Sequence, residues 1–448
     1  MSLEFYNTLT RKKEKFVPIK EGKINIFVCG PTVYDYAHLG HGKTYTQFDV
    51  LVRFLRYMGY EVFYLQNVTD IDDKIINRSR ELDISWKDLA LKFEKAYVED
   101  MEMLGNTSVT KYARATEYIP QIVKQVEILM EKGYAYKISD GIYFETSKFK
   151  NYGKLSGRTK VKEDDAISRI DEAKEKKGWN DFCLWKNSKP DEPYWDTALG
   201  HGRPGWHIED TAITESIFGP QYDMHAGAVD LIFPHHECEI AQMESASGLE
   251  PLVRYWMHSG FLNIDSQKMS KSKGNFKTVR DMVAAGISPM AFRLWVLMAQ
   301  YRTTMNWNKD ALLATQTALK RLYGLYLALG NEVGKTSTEY AEKFKNYLAD
   351  DLDTPRALTV LWDVLKDETL SAADKKSTVL DFDKVLGLGF KDLKEEKIPE
   401  EVWDLVEKRE EARKNKDWGK ADQIRGATAG LGYGIDDTSS GPRPIKLD

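Results

Sequence analysis

The chain has 448 residues, 42% of them apolar and 30% charged, with a formal net charge of −5. This length suggests two to four domains with a sizeable core, and the small acidic excess argues against non-specific adhesion to nucleic acid while leaving room for a locally basic surface. No run approaches ~18 consecutive apolar residues, the opening MSLEFYNTLTRKKEKF lacks a secretory leader, and three cysteines suit a reducing, cytoplasmic setting better than a disulfide framework.

The first elements read as a parallel α/β domain. Ile24 to Val28 is a short buried strand that passes through Gly30 and Pro31 into a helix with apolar residues at Phe48, Val50, Leu51, Phe54 and Leu55. EVFYLQNVTDIDD follows as a second strand and an acidic turn, in which Asp70, Asp72 and Asp73 cap or solvate. From 107 to 195 charged helical segments and a hairpin, AYKISDGIYFE, look like an insertion that does not continue the sheet. The α/β pattern resumes at RPGWHIED and runs through QYDMHAGAVDLIF to KMSKSKGNFKTVRD. After about 309 the segments are amphipathic helices, and a short charged tail closes the chain. The expected organisation is therefore a parallel α/β domain in two halves (1–106 and 196–265). It is interrupted by a connective insertion (107–195) and followed by a loop region (266–308), an α-helical bundle (309–395) and a small C-terminal domain (396–448).

All eight histidines precede residue 259, so the chemistry belongs to the first part of the chain. HLGH, His38 to His41, falls where a strand becomes a helix. Backbone N–H groups there can face an anion, Gly40 allows close approach, and the imidazoles can donate to phosphate oxygens; a surface cap is the plainer alternative. KMSKSKGN carries Lys268, Ser270, Lys271 and Lys273 in a loop able to close over a triphosphate and neutralise a leaving pyrophosphate. A solvated basic loop would read the same way. In FPHHECEI, His235 and Glu239 stand four apart and share a helix face where they can meet one cation. His236 and Glu237 are expected to point elsewhere. Cys29 sits at the end of the first strand, the edge where such sheets bind ligands.

HLGH and KMSKS, about 230 residues apart and in that order, resemble the paired signature of class I aminoacyl-tRNA synthetases. Together with FVCGPTVYDYAHLGHGKT, NVTDIDDKI, RPGWHIE and VDLIFPHHECEIAQ, they resemble the cysteinyl-tRNA synthetases over nearly the whole chain. The resemblance implies an α/β doubly wound parallel sheet of the Rossmann type, with 266–308 as loop and stem-contact region. It also implies ATP-dependent activation of L-cysteine and its transfer to the terminal adenosine of tRNA(Cys) by a monomeric cytoplasmic enzyme, with Mg2+ accompanying ATP. His38, His41, Lys268 and Lys271 would be catalytic, with Gly40 and Ser270 also on the nucleotide. Gly30, Thr69, Trp206 and Asp230 would line the amino-acid pocket.

The resemblance also implies one zinc per chain, held by Cys29, His235, Glu239 and a cysteine just after GWHIE. That last position is Asp210 here. Zinc accepts a carboxylate at ~2.0–2.2 Å, although the harder ligand lowers preference for soft metals. Cys238, near the ligand face, remains an alternative source of sulfur. In the tail, Arg409, Arg413, Trp418 and Asp422 would contact the anticodon, whereas the pattern alone equally describes a salt-bridged surface helix. Rival functions are a ligase that passes activated cysteine to a small amine, a tRNA-binding protein without catalysis, and an enzyme whose amino-acid choice is altered by Asp210.

Overall fold

A computed structural model describes residues 2–158, 174–264, 267–268, 276–394, 398–438 and 441–446. They fall into two compact units, 1–391 and 392–448. The centre of the first is a five-stranded sheet, and its elements come in a regular order. Strand β1 (Lys23–Val28) leads through the Gly30 turn to α1 (Leu39–Tyr57), then β2 (Glu61–Val68) and, later, β3 (Lys111–Arg114). The second half supplies α2 (Trp206–Phe218), β4 (Tyr222–Ala228), α3 (Glu237–Ser247) and β5 (Val253–Ser259). The strand order is β5-β4-β1-β2-β3, parallel throughout. Strands buried on both faces explain why apolar residues dominate INIFV and FYLQNV, interrupted by Asn25, Gln66 and Asn67. The order reverses between β1 and β4, which opens a crevice at their carboxyl ends.

Helix α1 starts at His38, whose extended backbone and ring nitrogen cap it. It buries Phe48, Val50, Leu51, Phe54 and Leu55, and from Gly42 to Val52 it is buried all round, as a helix inside a large unit is. The predicted insertion differs from the observed one at both ends. Residues 111–114 pair in parallel with β2 and so close the main sheet. The inserted antiparallel sheet, ordered Ala135–Ile138, Gly141–Phe144, Phe182–Asn187, Gly200–Pro204 and Trp195–Thr197, runs past 195. KYAR is short and half charged because it is an edge strand, so hydrophobic periodicity does not reveal it.

Beyond β5 come α4 (Pro289–Leu297) and four helices, α5 (Lys309–Leu327), α6 (Thr338–Ala349), α7 (Thr354–Lys366) and α8 (Ala372–Leu386). A wholly buried Arg293 on α4 ties them to α1. It donates to Asp49 Oδ2 at 2.7 Å, Asn106 Oδ1 at 2.9 Å, and the carbonyls of Leu104 (3.1 Å) and Leu386 (2.7 Å). The second unit packs α9 (Glu400–Lys414) and α10 (Trp418–Gly430) with a ribbon of β6 (Tyr433–Thr438) and β7 (Gly441–Lys446). No helix of the described residues is long and apolar enough to cross a membrane.

Candidate active site and metal centre

The crevice at the strand ends is a cavity of about 290 Å³ whose walls include Cys29, Gly30, His38, His41, Trp206 and Asp230. Gly30 is there for lack of room: a Cβ would lie 1.7 Å from the Asn67 carbonyl oxygen. Its N–H donates to Asn67 Oδ1 at 2.5 Å, which pins the end of β1 to β2.

His38 and His41 stack with ring centres 3.7 Å apart. His38 Nδ1 accepts the His41 backbone N–H at 3.2 Å, so the proton of a neutral His38 resides on Nε2. Burial first, then the neighbouring His38, holds the His41 pKa well below the ordinary imidazole value, and its Nδ1 has no partner among the described residues. Gly40 lies in the first turn of α1. Residues 277–279, which follow the second signature segment, pair with the start of α1: Leu39 N–H donates to the Lys277 carbonyl (3.0 Å) and Val279 N–H to that of Ala37 (3.2 Å). The Phe276 ring stands edge-on to His38 at 5.5 Å. Lys268 contributes backbone to a two-residue strand, Gln267–Lys268, but its side chain, Ser270 and Lys271 lie outside the described residues.

Below the cavity, Cys29, Asp210, His235 and Glu239 converge, all buried, with ligand atoms within 4.8 Å of one another. His235 Nε2 is 3.0 Å from Asp210 Oδ2 and 3.1 Å from Glu239 Oε1; Cys29 Sγ is 3.6 Å from Asp210 Oδ2 and 3.9 Å from Glu239 Oε1. Asn67 Nδ2 donates to Asp210 Oδ1 at 2.6 Å, leaving a single carboxylate oxygen aimed inward, the geometry a thiolate would offer. The His235 Nδ1 is held by His207 Nδ1 at 2.7 Å, an outer contact of the kind that orients a metal-ligating imidazole.

The electrostatics fit a cation. Burial, then the charges of Glu239 and Asp210, push the Cys29 thiol well up, and burial with Asp210 raises the Glu239 carboxyl. Glu239 Oε2 is buried without a hydrogen-bond partner among the described residues. Three acidic groups crowded out of water are costly unless protons or a positive ion share the space.

One expectation is overturned. His236 does not point away: its Nε2 lies 3.2 Å from Cys29 Sγ, and His225 Nε2, on β4, lies at the same distance. The reason is local. Residues Ile232–His236 form a wide irregular turn with Phe233 extended, and regular helix begins only at Glu237, so facing cannot be counted from helical spacing. Glu237 behaves as expected, accepting from Gly153 and Ser156 N–H. Cys238 is outside both groups of potential ligands and packs against the Tyr152 hydroxyl at 3.5 Å.

The remaining pocket residues are near the centre. Trp206 is 38% exposed and stacks on the His235 ring at 4.2 Å. Thr69 Oγ1 donates to Glu209 Oε2 at 3.0 Å, and Asp230 sits on the turn after β4. Asp72 caps the next helix and Asp70 accepts from Thr116. Sequence reasoning missed Asn67, His207, His225, His258 and Glu209; histidine enrichment before residue 259 was the available signal.

In the second unit, Arg409 is nearly buried and makes a two-pronged contact with Asp437 at 2.8 and 3.0 Å. Arg413 joins the same carboxylate at 2.8 Å. Trp418 is 61% exposed and Asp422 is exposed, both on α10.

Two family models match the chain: the tRNA synthetases class I (C) catalytic domain over residues 15–317, and the cysteinyl-tRNA ligase anticodon binding domain over 395–441. The cysteine–tRNA ligase of Caldicellulosiruptor saccharolyticus is 41% identical over 99% of this chain and 100% of its own. That of Thermoplasma acidophilum is 49% identical over 75% and 74%. Among solved structures, the fold is similar to Mycobacterium tuberculosis methionyl-tRNA synthetase with methionyl-adenylate (TM-score 0.56, 14% identity, 82% and 90% covered). It is also similar to an Agrobacterium radiobacter LeuRS–tRNA–LeuAMS complex (TM-score 0.61, 9% identity, 83% and 84% covered).

Proposed function

The chain belongs to the cysteine–tRNA ligase family of class I synthetases, and on that premise we propose that the cavity above Cys29 is where L-cysteine is activated with ATP. The observation that carries this reading is the buried group of Cys29, Asp210, His235 and Glu239 directly beneath a cavity that opens onto the start of α1. These four would hold one zinc ion. A bound zinc supplies a ligand position that takes a thiolate far more readily than a hydroxyl, where a plain pocket separates such near-isosteres by only ~1–3 kcal/mol.

The chain's own groups do the rest. Asp230 faces the ammonium group of the amino acid, while Trp206, Thr69 and the glycine backbone at Gly30 wall its side chain. The substrate carboxylate attacks the α-phosphate and pyrophosphate leaves; Mg2+ accompanying ATP would offset part of its charge. His38, with its proton on Nε2, donates to the phosphate oxygens as negative charge gathers there; His41, stacked behind it, does the same in its neutral form. Gly40 keeps the helix start open to the nucleotide. Lys268, Ser270 and Lys271 cover the leaving pyrophosphate. Cysteine then passes to the terminal adenosine of tRNA(Cys), with the helices of 309–395 supporting the tRNA and the 396–448 domain reading its anticodon through Trp418 and Asp422. Arg409 and Arg413, engaged by Asp437, shape that surface. The protein acts as a monomer in the cytoplasm.

Cysteine-dependent ATP–pyrophosphate exchange tests the reading. Exchange with cysteine well above that with serine or aspartate is expected, followed by charging of tRNA(Cys). Equal exchange with all three amino acids would refute it.

A further inference from the structure

Around Cys29 the potential ligands fall into two fours. The second keeps Cys29 and Glu239 but exchanges Asp210 and His235 for His225 and His236, again with all ligand atoms within 4.8 Å and all four residues buried. Both new imidazoles present Nε2 to the sulfur at 3.2 Å. Both are anchored from behind. His225 Nδ1 meets the Tyr222 hydroxyl at 2.7 Å; His236 Nδ1 meets His258 Nε2 at 2.8 Å, and His258 Nδ1 meets Thr8 Oγ1 at 2.8 Å. Such outer contacts fix ring orientation in metal sites. Room for His236 comes from Gly227, where a Cβ would lie 3.1 Å from its Cε1 and 3.3 Å from its Nε2.

We propose that Cys29, His225, His236 and Glu239 form a second, overlapping ligand set, so that a late divalent metal ion has two alternative seats sharing one sulfur and one carboxylate. The inference rests on the metal reading above and adds two imidazoles to it. Ligand chemistry favours it in this chain. With Asp210 in place, the first set offers one sulfur, one nitrogen and two oxygens, whereas the second offers one sulfur, two nitrogens and one oxygen. The second is the softer set, better suited to zinc. Of the residues in the two sets, Cys29 lines the substrate cavity and the others do not, so the second seat gives the ion a place beside the same sulfur when the hard carboxylate lets go.

The test uses full-length, zinc-loaded protein dialysed against a weak chelator, with zinc content and the imidazole count from X-ray absorption at the zinc edge. Wild type is compared with Asp210→Ala and with Asp210→Ala/His235→Ala, in which the first seat has lost the two ligands that belong to it alone. The double variant is expected to keep about one zinc per chain with more than one imidazole on it. Loss of zinc from a double variant whose circular dichroism and thermal unfolding match wild type overturns the inference, and His225 and His236 are then only N–H donors to the sulfur. If the double variant does not fold, Asp210→Ala decides, because more than one imidazole on its zinc requires the second set and a single one refutes it. Wild type that takes up no zinc overturns the metal reading itself.

Discussion

Replacing Arg293 by methionine should cost the first unit about 3–5 kcal/mol, the range for breaking a buried ion pair by removing one partner. Arg293 is wholly buried and Asp49 is 1% exposed, so solvent does not screen the pair. Burial works to raise the Asp49 pKa, but Arg293 and then Arg53 outweigh it and hold the carboxyl below its usual range. Without Arg293 that carboxylate keeps only Arg53 at 2.7 Å and the Ser108 N–H at 3.0 Å. The carbonyls of Leu104 and Leu386 lose a donor as well, at about 1–3 kcal/mol for each acceptor left unsatisfied. Relaxation and entering water recover part of this sum, which keeps the total near the ion-pair range. Urea unfolding followed by tryptophan fluorescence measures the loss. Asp49→Leu/Arg293→Met should be less destabilised than the two single changes added together, because the double change leaves no buried charge unpaired. A single Arg293→Met variant within about 0.5 kcal/mol of wild type, the scatter of ordinary surface substitutions, would refute the reasoning.

Three further outcomes are expected. Gly30→Ala should abolish soluble, active protein or cut exchange by orders of magnitude, because the new methyl meets backbone, not a movable side chain; near-normal exchange would show that β1 and β2 can part. Lys43 is fully buried among the carbonyls of Gly260 and Tyr301 and Gln47 Oε1, and burial lowers its pKa from 10.5 to about 7. Between those values the unfolded chain holds the proton and the folded chain does not, so stability rises with pH by up to ~1.4 kcal/mol per unit. Denaturation of wild type and Lys43→Met at about pH 7 and pH 9 should show wild type gaining on the variant, and a constant difference would contradict this. Asp437→Asn releases Arg409 and Arg413 within the second unit. It should raise the KM for tRNA several-fold and leave cysteine-dependent pyrophosphate exchange unchanged; an equal fall in both would place the effect in the catalytic unit.

Parts of this site could be read from the chain because local geometry carried them. Cys29 stands where β1 ends, as short-range spacing implies, and His235 meets Glu239 even though His235 belongs to the irregular turn before regular helix. His225 was illegible because it comes from the middle of a buried strand, and only the parallel pairing of β4 with β1 brings it to Cys29. His236 was misread for the opposite reason: helical spacing was applied to a turn that is not yet helix. The β3 strand hid inside a charged stretch because an edge strand needs no apolar run. Tertiary contact, not residue type, separates the legible from the rest.

Asp210 also changes what oxidants can do here. Two thiolates on one ion can couple into a disulfide and expel it. At this centre Cys29 is the only cysteine in either ligand group, and Cys238 is turned to Tyr152. Within either ligand group an oxidant therefore meets a lone sulfur and begins with the reversible sulfenic acid, and peptide mass after mild peroxide and dimedone should find the label on Cys29 and no disulfide there. On the metal reading proposed above, carboxylate for thiol exchanges some affinity for soft metal against a ligand set with no second sulfur to cross-link.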